Sequence, residues 1–190
     1  ALALILAGVA LSALAGAGTS LVLNLSPNPF AAAEIVFWMM GSLADRSMTH
    51  VALAVPFIVI GGGLLLTMGR GLDALTLGED VAESMGLSLR RLRLVLTAGT
   101  AMAVGASVAV AGAVGFVGLV VPHVLRPLVG ARPSRLLPAS MLGGAAVVLA
   151  ADIAVRLIAP DRDLKLGVLT AIVGAPFFLH LIWRMRRVEA

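Results

Sequence analysis

The sequence has no cysteine, which excludes a disulfide framework, a thiolate metal site and a cysteine nucleophile. Charge is scarce as well. The 190 residues include 10 acidic and 14 basic side chains, 13% of the chain, where ordinary soluble domains carry about 25%. So few charges cannot cover the surface of a soluble protein of this length, and a soluble enzyme and a disordered tail are both excluded. Paired carboxylates, a Ser–His–Asp set and a phosphate loop of the GxxxxGK type are also missing. No catalytic centre, cofactor site or metal site is expected on this chain.

What is present is long apolar stretches. Hydrophobic residues make up 60% of the chain and its mean hydropathy is +1.06. The 21 glycines fit a membrane protein, because Gly is commoner in membrane helices than in soluble ones. A membrane helix needs about 20 mainly apolar residues. On that measure the pattern predicts spans over residues 1–23, 51–69, 94–112, 114–129, 136–158 and 166–183. The span over 114–129 is short and interrupted by Pro122 and Pro127; in the second span Pro56 is expected in the first turns, where its missing N–H does least harm. A short amphipathic helix ending at Gly41 is expected within the polar connection 24–50. The fold class is all-α integral membrane, a polytopic helical bundle of about six spans. Ala1 opens directly on an apolar run, with neither a starting Met nor a charged flank, so the chain is expected to be a fragment that begins inside a helix.

The basic residues divide by loop. If residues 1–23 run outward, one side holds Arg70, Arg90, Arg91, Arg93, Arg126, Arg132, Arg135, Arg184, Arg186 and Arg187; the other holds Arg46, Arg156, Arg162 and Lys165. The positive-inside rule places the richer side in the cytoplasm. Basicity is then a matter of topology, and no nucleic-acid partner is expected.

Small residues recur at four-residue spacing in two spans: Gly8, Ser12, Gly16 and Ser20, then Gly99, Ala103, Ser107 and Ala111. Each set falls on one helix face and predicts tight helix–helix packing. The most charged stretch, 70–93, reads as a helix–turn–helix knuckle. Thr76-Leu77-Gly78-Glu79 matches a capping box, with Glu79, Asp80 and Glu83 early in the short helix that follows. Gly86 suits the left-handed residue that stops a helix, and Ser88 can cap a new helix running through Arg90, Arg91 and Arg93 into the third span. Such a knuckle suits docking of a soluble partner, as well as being an ordinary solvated loop.

Other residues stand out individually. In GFVGLVVPHVLRPLVG (115–130), Gly115 and Gly118 permit close backbone approach and Pro122 breaks helix regularity. Broken helices persist at membrane depth only when buried in protein or facing a water-filled cavity. His123 is suited to a proton relay or a metal ligand, but no second ligand stands nearby, which favours a structural role. Arg126 marks the cytoplasmic interface. Asp152 and Arg156 stand i, i+4 and can form a salt bridge along one helix face. Trp38, Met39 and Met40 suit an outer gate or an interfacial anchor, and His50 and His180 lie near span ends.

LGEDVAESMGLSLRRLRL (77–94) resembles the coupling segment of the permeases of binding-protein-dependent ABC importers for iron–siderophore, haem and cobalamin, the FecCD-type family. LILAGVALSAL (4–14), FWMMGSLADRS (37–47), AGAVGFVGLVVPHVLRPLVG (111–130), LLPASMLGGAAVVLAADIAVR (136–156) and GVLTAIVGAPFFLHLIWR (167–184) resemble further stretches of that family in the same order. The resemblance implies the C-terminal part of a ten-span permease, equivalent to spans five to ten. It implies as partners cytoplasmic ABC ATPase subunits, an extracytoplasmic binding protein, a second permease subunit (homo- or heterodimer) and membrane lipid. It also implies a multi-pass place in the bacterial inner membrane.

By position, the resemblance assigns Gly78, Glu79, Ala82 and Leu87 to the coupling segment that meets the ATPase, and Arg156 to contact with a Glu on the binding protein. From their own chemistry, Trp38, Met39, Met40, Gly115, Gly118 and Pro122 are the candidates for the translocation pathway and gate. One departure stands out. Where the family commonly has Glu-Leu-Pro-hydrophobic-Gly, this chain has Asp163-Leu164-Lys165-Leu166-Gly167, so the last helix is expected to start less firmly. The function implied is import of a ferric siderophore or related metal chelate, with haem or cobalamin as alternatives that an aromatic-poor pathway does not separate. From the residues alone, an ion-coupled secondary transporter is the competing class, but only Asp152 and Arg156 approach the buried charges it needs. An intramembrane enzyme lacks any catalytic constellation.

Overall fold

The structure, a computed structural model, describes residues 2–159 and 164–186, and among these the only regular elements are helices. Asp163, Arg162 and Arg187 lie outside the described residues. The chain divides into two units, residues 2–39 and the remainder from Met40 onward.

The first unit holds α1 (Leu2–Leu25) and α2 (Pro29–Met39). Asn28 caps α2 by accepting the Phe30 N–H on its Oδ1 at 3.0 Å, and Pro29 occupies the first helical position, where its fixed φ is already suited to a helix. α2 ends before Gly41, whose φ is +76°, as expected. The stripe of Gly8 and Gly16 on α1 has nothing of α2 close by, since a Cβ on either glycine would meet no atom within 4 Å.

The second unit is a bundle of α3 (Met48–Thr67), α4 (Gly69–Leu75), α5 (Glu79–Ser84), α6 (Leu89–Ala111), α7 (Val117–Val129), α8 (Pro133–Ile158) and α9 (Leu166–Arg186). The α3 and α6 helices form the tightest pair. The third-span stripe makes their contact: a Cβ on Gly61 would fall 2.6 Å from the Gly99 carbonyl oxygen and 3.1 Å from the Ala103 Cβ. The second pair, α7 and α8, closes where Val121 and Leu125 fill the space over Gly143. The α9 helix lies against both α7 and α8.

Four described helices are long and apolar enough to cross a membrane: Ile5–Leu25, Met48–Thr67, Leu89–Ala111 and Pro133–Ile158. Residues Leu166–Leu181 form a shorter apolar helix. The expected span over 114–129 takes a different form. Its helix starts only at Val117 and has 13 residues, about 20 Å of rise against a hydrocarbon core of about 30 Å. Pro56 also departs from expectation. The helix begins at Met48 rather than residue 51, so Pro56 lies inside it rather than in its first turns. The helix start is set instead by Ser47, whose N–H donates to His50 Nδ1 at 3.2 Å while its Oγ lies 2.8 Å from the same nitrogen.

The bundle has two ends. At one, residues 40–42, 111–113 and 164–167 converge: the Ser42 N–H donates to the Ala111 carbonyl at 2.8 Å and the Gly167 N–H to that of Gly41 at 3.4 Å. At the other stand α4, α5, the start of α6 and the start of α8. Arg70, Arg90, Arg91, Arg93, Arg132 and Arg135 belong to that second end, while Arg46 and Arg156 belong to the first, matching the division expected from the loops.

Candidate functional site

The knuckle forms between α3 and α6, and its turns come from local chemistry. Gly78 precedes α5 with φ +111°, and Gly86 follows it with φ +82°, a region that glycine enters without the Cβ penalty. Ser88 caps α6, its side chain accepting the Arg91 N–H at 3.4 Å, and α6 then runs unbroken to Ala111. The capping box expected over Thr76–Glu79 does not form. Thr76 Oγ1 instead donates back to the Asp73 carbonyl at 2.7 Å, ending α4, and Gly78 takes the cap position of α5 without a side-chain bond. Hydroxyls of this type compete for nearby backbone carbonyls, and here that local bond wins.

Of the four residues assigned to coupling, two point out and two hold the knuckle together. Gly78 and Glu79 lie on its surface, and the Glu79 carboxylate accepts from Arg93 at 2.9 Å. Ala82 is 0% exposed, packed inside the knuckle. The Leu87 N–H donates to the Ala82 carbonyl at 3.1 Å. The exposed apolar residues are instead Leu77, Val81 and Met85, with Leu77 at 65% and Met85 at 63%. The tip is therefore mixed in character, apolar at its centre and acidic at Glu79, Asp80 and Glu83.

The knuckle is also fixed on its other flank. In α4, Asp73 Oδ1 accepts the Ser134 N–H at 2.9 Å and Oδ2 accepts the Ser134 hydroxyl at 2.6 Å. Those two bonds, with the nearby Arg132 and Arg135 charges, hold the Asp73 carboxyl below its usual range. Beside this link opens a cavity of about 470 Å³ lined by Asp73, Thr76, Leu77, Arg126, Ala131 and Arg132. Arg126 thus stands at the knuckle end, where the sequence puts the cytoplasmic interface.

The break ahead of α7 lies deeper. Residues 112–116 leave the helical path after Gly112, and Phe116 starts α7 in the left-handed region at φ +65°, which is unfavourable for a bulky residue. Its neighbour across the bundle is Gly174 of α9, where a Cβ would run into the Phe116 side chain. Val117 lies against Gly144, midway along α8. Phe116 and Val117 thus pack against α9 and α8, while Ala113 ahead of them stays exposed. Gly115 and Gly118 are exposed at the break and Pro122 is half-buried on α7. His123 is exposed and stands edge-on to Phe177, with ring centroids 6.4 Å apart.

At the opposite end Arg156 Nε bonds Asp152 Oδ2 at 2.8 Å in the i, i+4 geometry. Arg156 remains well exposed and Asp152 is largely covered. The start of α9 is firmer than its lost proline suggests. Leu166 is 1% exposed, and a Cβ on Gly167 would collide with the carbonyls of Met40 and Ala113. Trp38 and Met39 close α2 in the first unit, and Met40 opens the second.

Residues 1–184 match the FecCD transport family. The chain belongs to that family. Among its FecCD relatives, it is 41% identical to the Fe(3+) dicitrate transport system permease protein FecD of Escherichia coli, over 96% of this chain and 57% of that protein. It is 40% identical to the cobalamin import system permease protein BtuC of Halobacterium salinarum, over 98% of this chain and 49% of that protein. A solved chain described as an inward-facing conformation of a metal-chelate type ABC transporter superposes with a TM-score of 0.84 at 34% identity, over 95% of this chain and 58% of that one. The chain thus spans about half the length of the FecCD relatives it matches. It is an all-α integral membrane chain of this family.

Three features of this FecCD chain were not singled out in the sequence. Asp73 and Ser134 are 61 residues apart, and no local pattern joins them. Phe116 is a residue type that turn preferences would not place at positive φ. Gly174 sits inside an ordinary apolar helix, with nothing in its neighbours to announce the Phe116 contact.

Proposed function

We propose that this chain forms the C-terminal part, spans five to ten, of a permease subunit in a binding-protein-dependent ABC importer of the bacterial inner membrane. Its cargo would be a ferric siderophore or related metal chelate, moved inward by ATP hydrolysis on partner subunits. Relatives named for dicitrate iron, hemin and cobalamin make haem and cobalamin the alternative cargoes. The reading assigns no catalysis to this chain. Its partners are cytoplasmic ABC ATPases, an extracytoplasmic binding protein and a second permease subunit.

The observation that carries the reading is the knuckle. It is a short acidic helix with an apolar tip, held between the ends of two long helices and continuous with one of them through Ser88. Gly78 and Glu79, with Leu77 and Met85, would meet the ATPase, while Ala82 and Leu87 keep the tip in shape. Movement of the tip then travels along α6 into the membrane. At the far end Arg156 would face an acidic side chain of the binding protein. Gly115, Gly118 and Pro122 at the break would line the pathway, and Trp38, Met39 and Met40 would belong to its outer gate.

Replacing Gly78 or Glu79 in the complete subunit should uncouple uptake from ATP hydrolysis while leaving membrane insertion intact. If uptake and ATPase stimulation both survive, the docking assignment is wrong. Affinity of the cognate binding protein for a panel of chelates would identify the cargo.

A further inference from the structure

We propose that the Asp73–Ser134 link makes α8 a second arm of the knuckle, tying the cytoplasmic docking end to the Asp152–Arg156 pair across the membrane. The inference rests on the importer reading above and adds positioning residues to it. The arm already described, α6, is joined to the knuckle by the chain itself. The joint to α8 is made by side-chain chemistry.

The geometry of that joint is specific. One carboxylate takes both donors of a single residue, the Ser134 N–H at 2.9 Å and its hydroxyl at 2.6 Å. The α8 helix has no side-chain cap of its own at Arg132, so Asp73 supplies from α4 the acceptor that a helix start needs. A negative charge there is also favoured by the helix dipole. The two elements touch without a gap, since a Cβ on Gly69 would lie 3.1 Å from the Ser134 Cα.

From Ser134 the helix runs on to Ile158, about 36 Å of rise, and Arg156 sits about 33 Å from the joint. On the way it carries Gly143 and Gly144, the contacts of α7 just after the break. Displacing the start of α8 therefore shifts both the broken segment and the Arg156 end. Occupancy of the far end by a binding protein would return to the knuckle by the same route, because coupling between two sites is reciprocal.

The test uses the complete subunit assembled with its ATPase in nanodiscs, with stimulation of ATP hydrolysis by loaded binding protein as the readout. Asp73→Ala should leave assembly and basal hydrolysis in place but cut stimulation by about fivefold or more, the lower range of allosteric couplings. Asp73→Asn, which still accepts the Ser134 N–H, should keep at least half. A second readout is independent of transport: spin labels at the exposed Arg70 of α4 and Leu142 of α8, on the two sides of the joint and outside the docking tip. Their separation should stay fixed between nucleotide-free and nucleotide-trapped states, and should spread in Asp73→Ala and Ser134→Ala. Normal stimulation in Asp73→Ala, an Asn variant as impaired as the Ala variant, or label distances unchanged by both substitutions would each overturn the proposal. Should Asp73→Ala fail to assemble, Ser134→Ala carries the same comparison. A failure of the importer reading looks different, since the unaltered complex would then show no stimulation at all.

Discussion

The backbones of Gly61 and Gly99 meet where α3 crosses α6. A Cβ on Gly61 would sit 2.6 Å from the Gly99 carbonyl oxygen, and one on Gly99 would sit 2.9 Å from that of Gly61. Neither obstacle is a flexible side-chain end, so any added atom must part the two helices. The two helices that make this crossing are those that flank the knuckle.

Gly61→Ala and Gly99→Ala should each destabilise the complete subunit by about 1–3 kcal/mol, as overpacking of a close contact does. Unfolding of the purified subunit in detergent measures this. Gly105→Ala on the same α6 helix, where a Cβ would meet nothing within 4 Å, should be nearly neutral. Equal losses at all three positions would contradict the crossing.

The Glu79–Arg93 pair is exposed on both sides, and exposed pairs contribute about 0.2–1 kcal/mol. Glu79→Gln should therefore leave the melting temperature within a few degrees of the parent, while lowering ATPase-coupled uptake about tenfold, the effect of losing about 1.4 kcal/mol at an interface. Arg93→Gln should match its small stability change with a smaller loss of uptake. A large loss of stability with uptake per folded molecule unchanged would make Glu79 structural instead.

Asp73 gives a pH signature. Hydrogen bonds from Ser134 lower its pKa from the ordinary 3.8, so the folded state binds a proton less readily than the unfolded chain. The stabilisation is complete above the unfolded value and is lost as pH falls below it through the depressed folded value. Melting of the parent should thus carry a component that declines with acid below about pH 4, and Asp73→Asn should lack it. Parallel melting curves for parent and variant through that window would contradict the assignment.

At the other end Arg156 has its charge exposed while Asp152 is largely covered. Arg156→Ala should weaken binding-protein association mainly through a slower, less salt-sensitive on-rate, as rim charges do. Asp152→Asn should leave the cation in place and change association less. Surface plasmon resonance at two ionic strengths distinguishes the two.

What could be read in advance follows the range of each interaction. The stop at Gly86, the cap at Ser88 and the i, i+4 pair Asp152–Arg156 are all set by residues within a turn of one another, and all appear as the sequence implies. Thr76 shows the limit of local rules, because its hydroxyl had two partners in reach and took the Asp73 carbonyl behind it rather than the donors ahead. At the start of α9 the missing proline does not mean a missing constraint. Burial of Leu166 and the wedge of Gly167 between two carbonyls supply that constraint from residues more than fifty positions away. The 114–129 stretch holds a helix of only 13 residues, because apolar content does not say where a helix can begin. Phe116 delays that beginning, and it is held by Gly174 on a different helix.

The most direct test of the account is uptake into vesicles holding the complete subunit, its ATPase and the loaded binding protein, with ion gradients collapsed by ionophores. Uptake should require ATP inside the ATPase-bearing compartment, persist without any ion gradient and fall about tenfold in Glu79→Gln. Uptake driven by an ion gradient in the absence of ATP would contradict it and favour a secondary transporter.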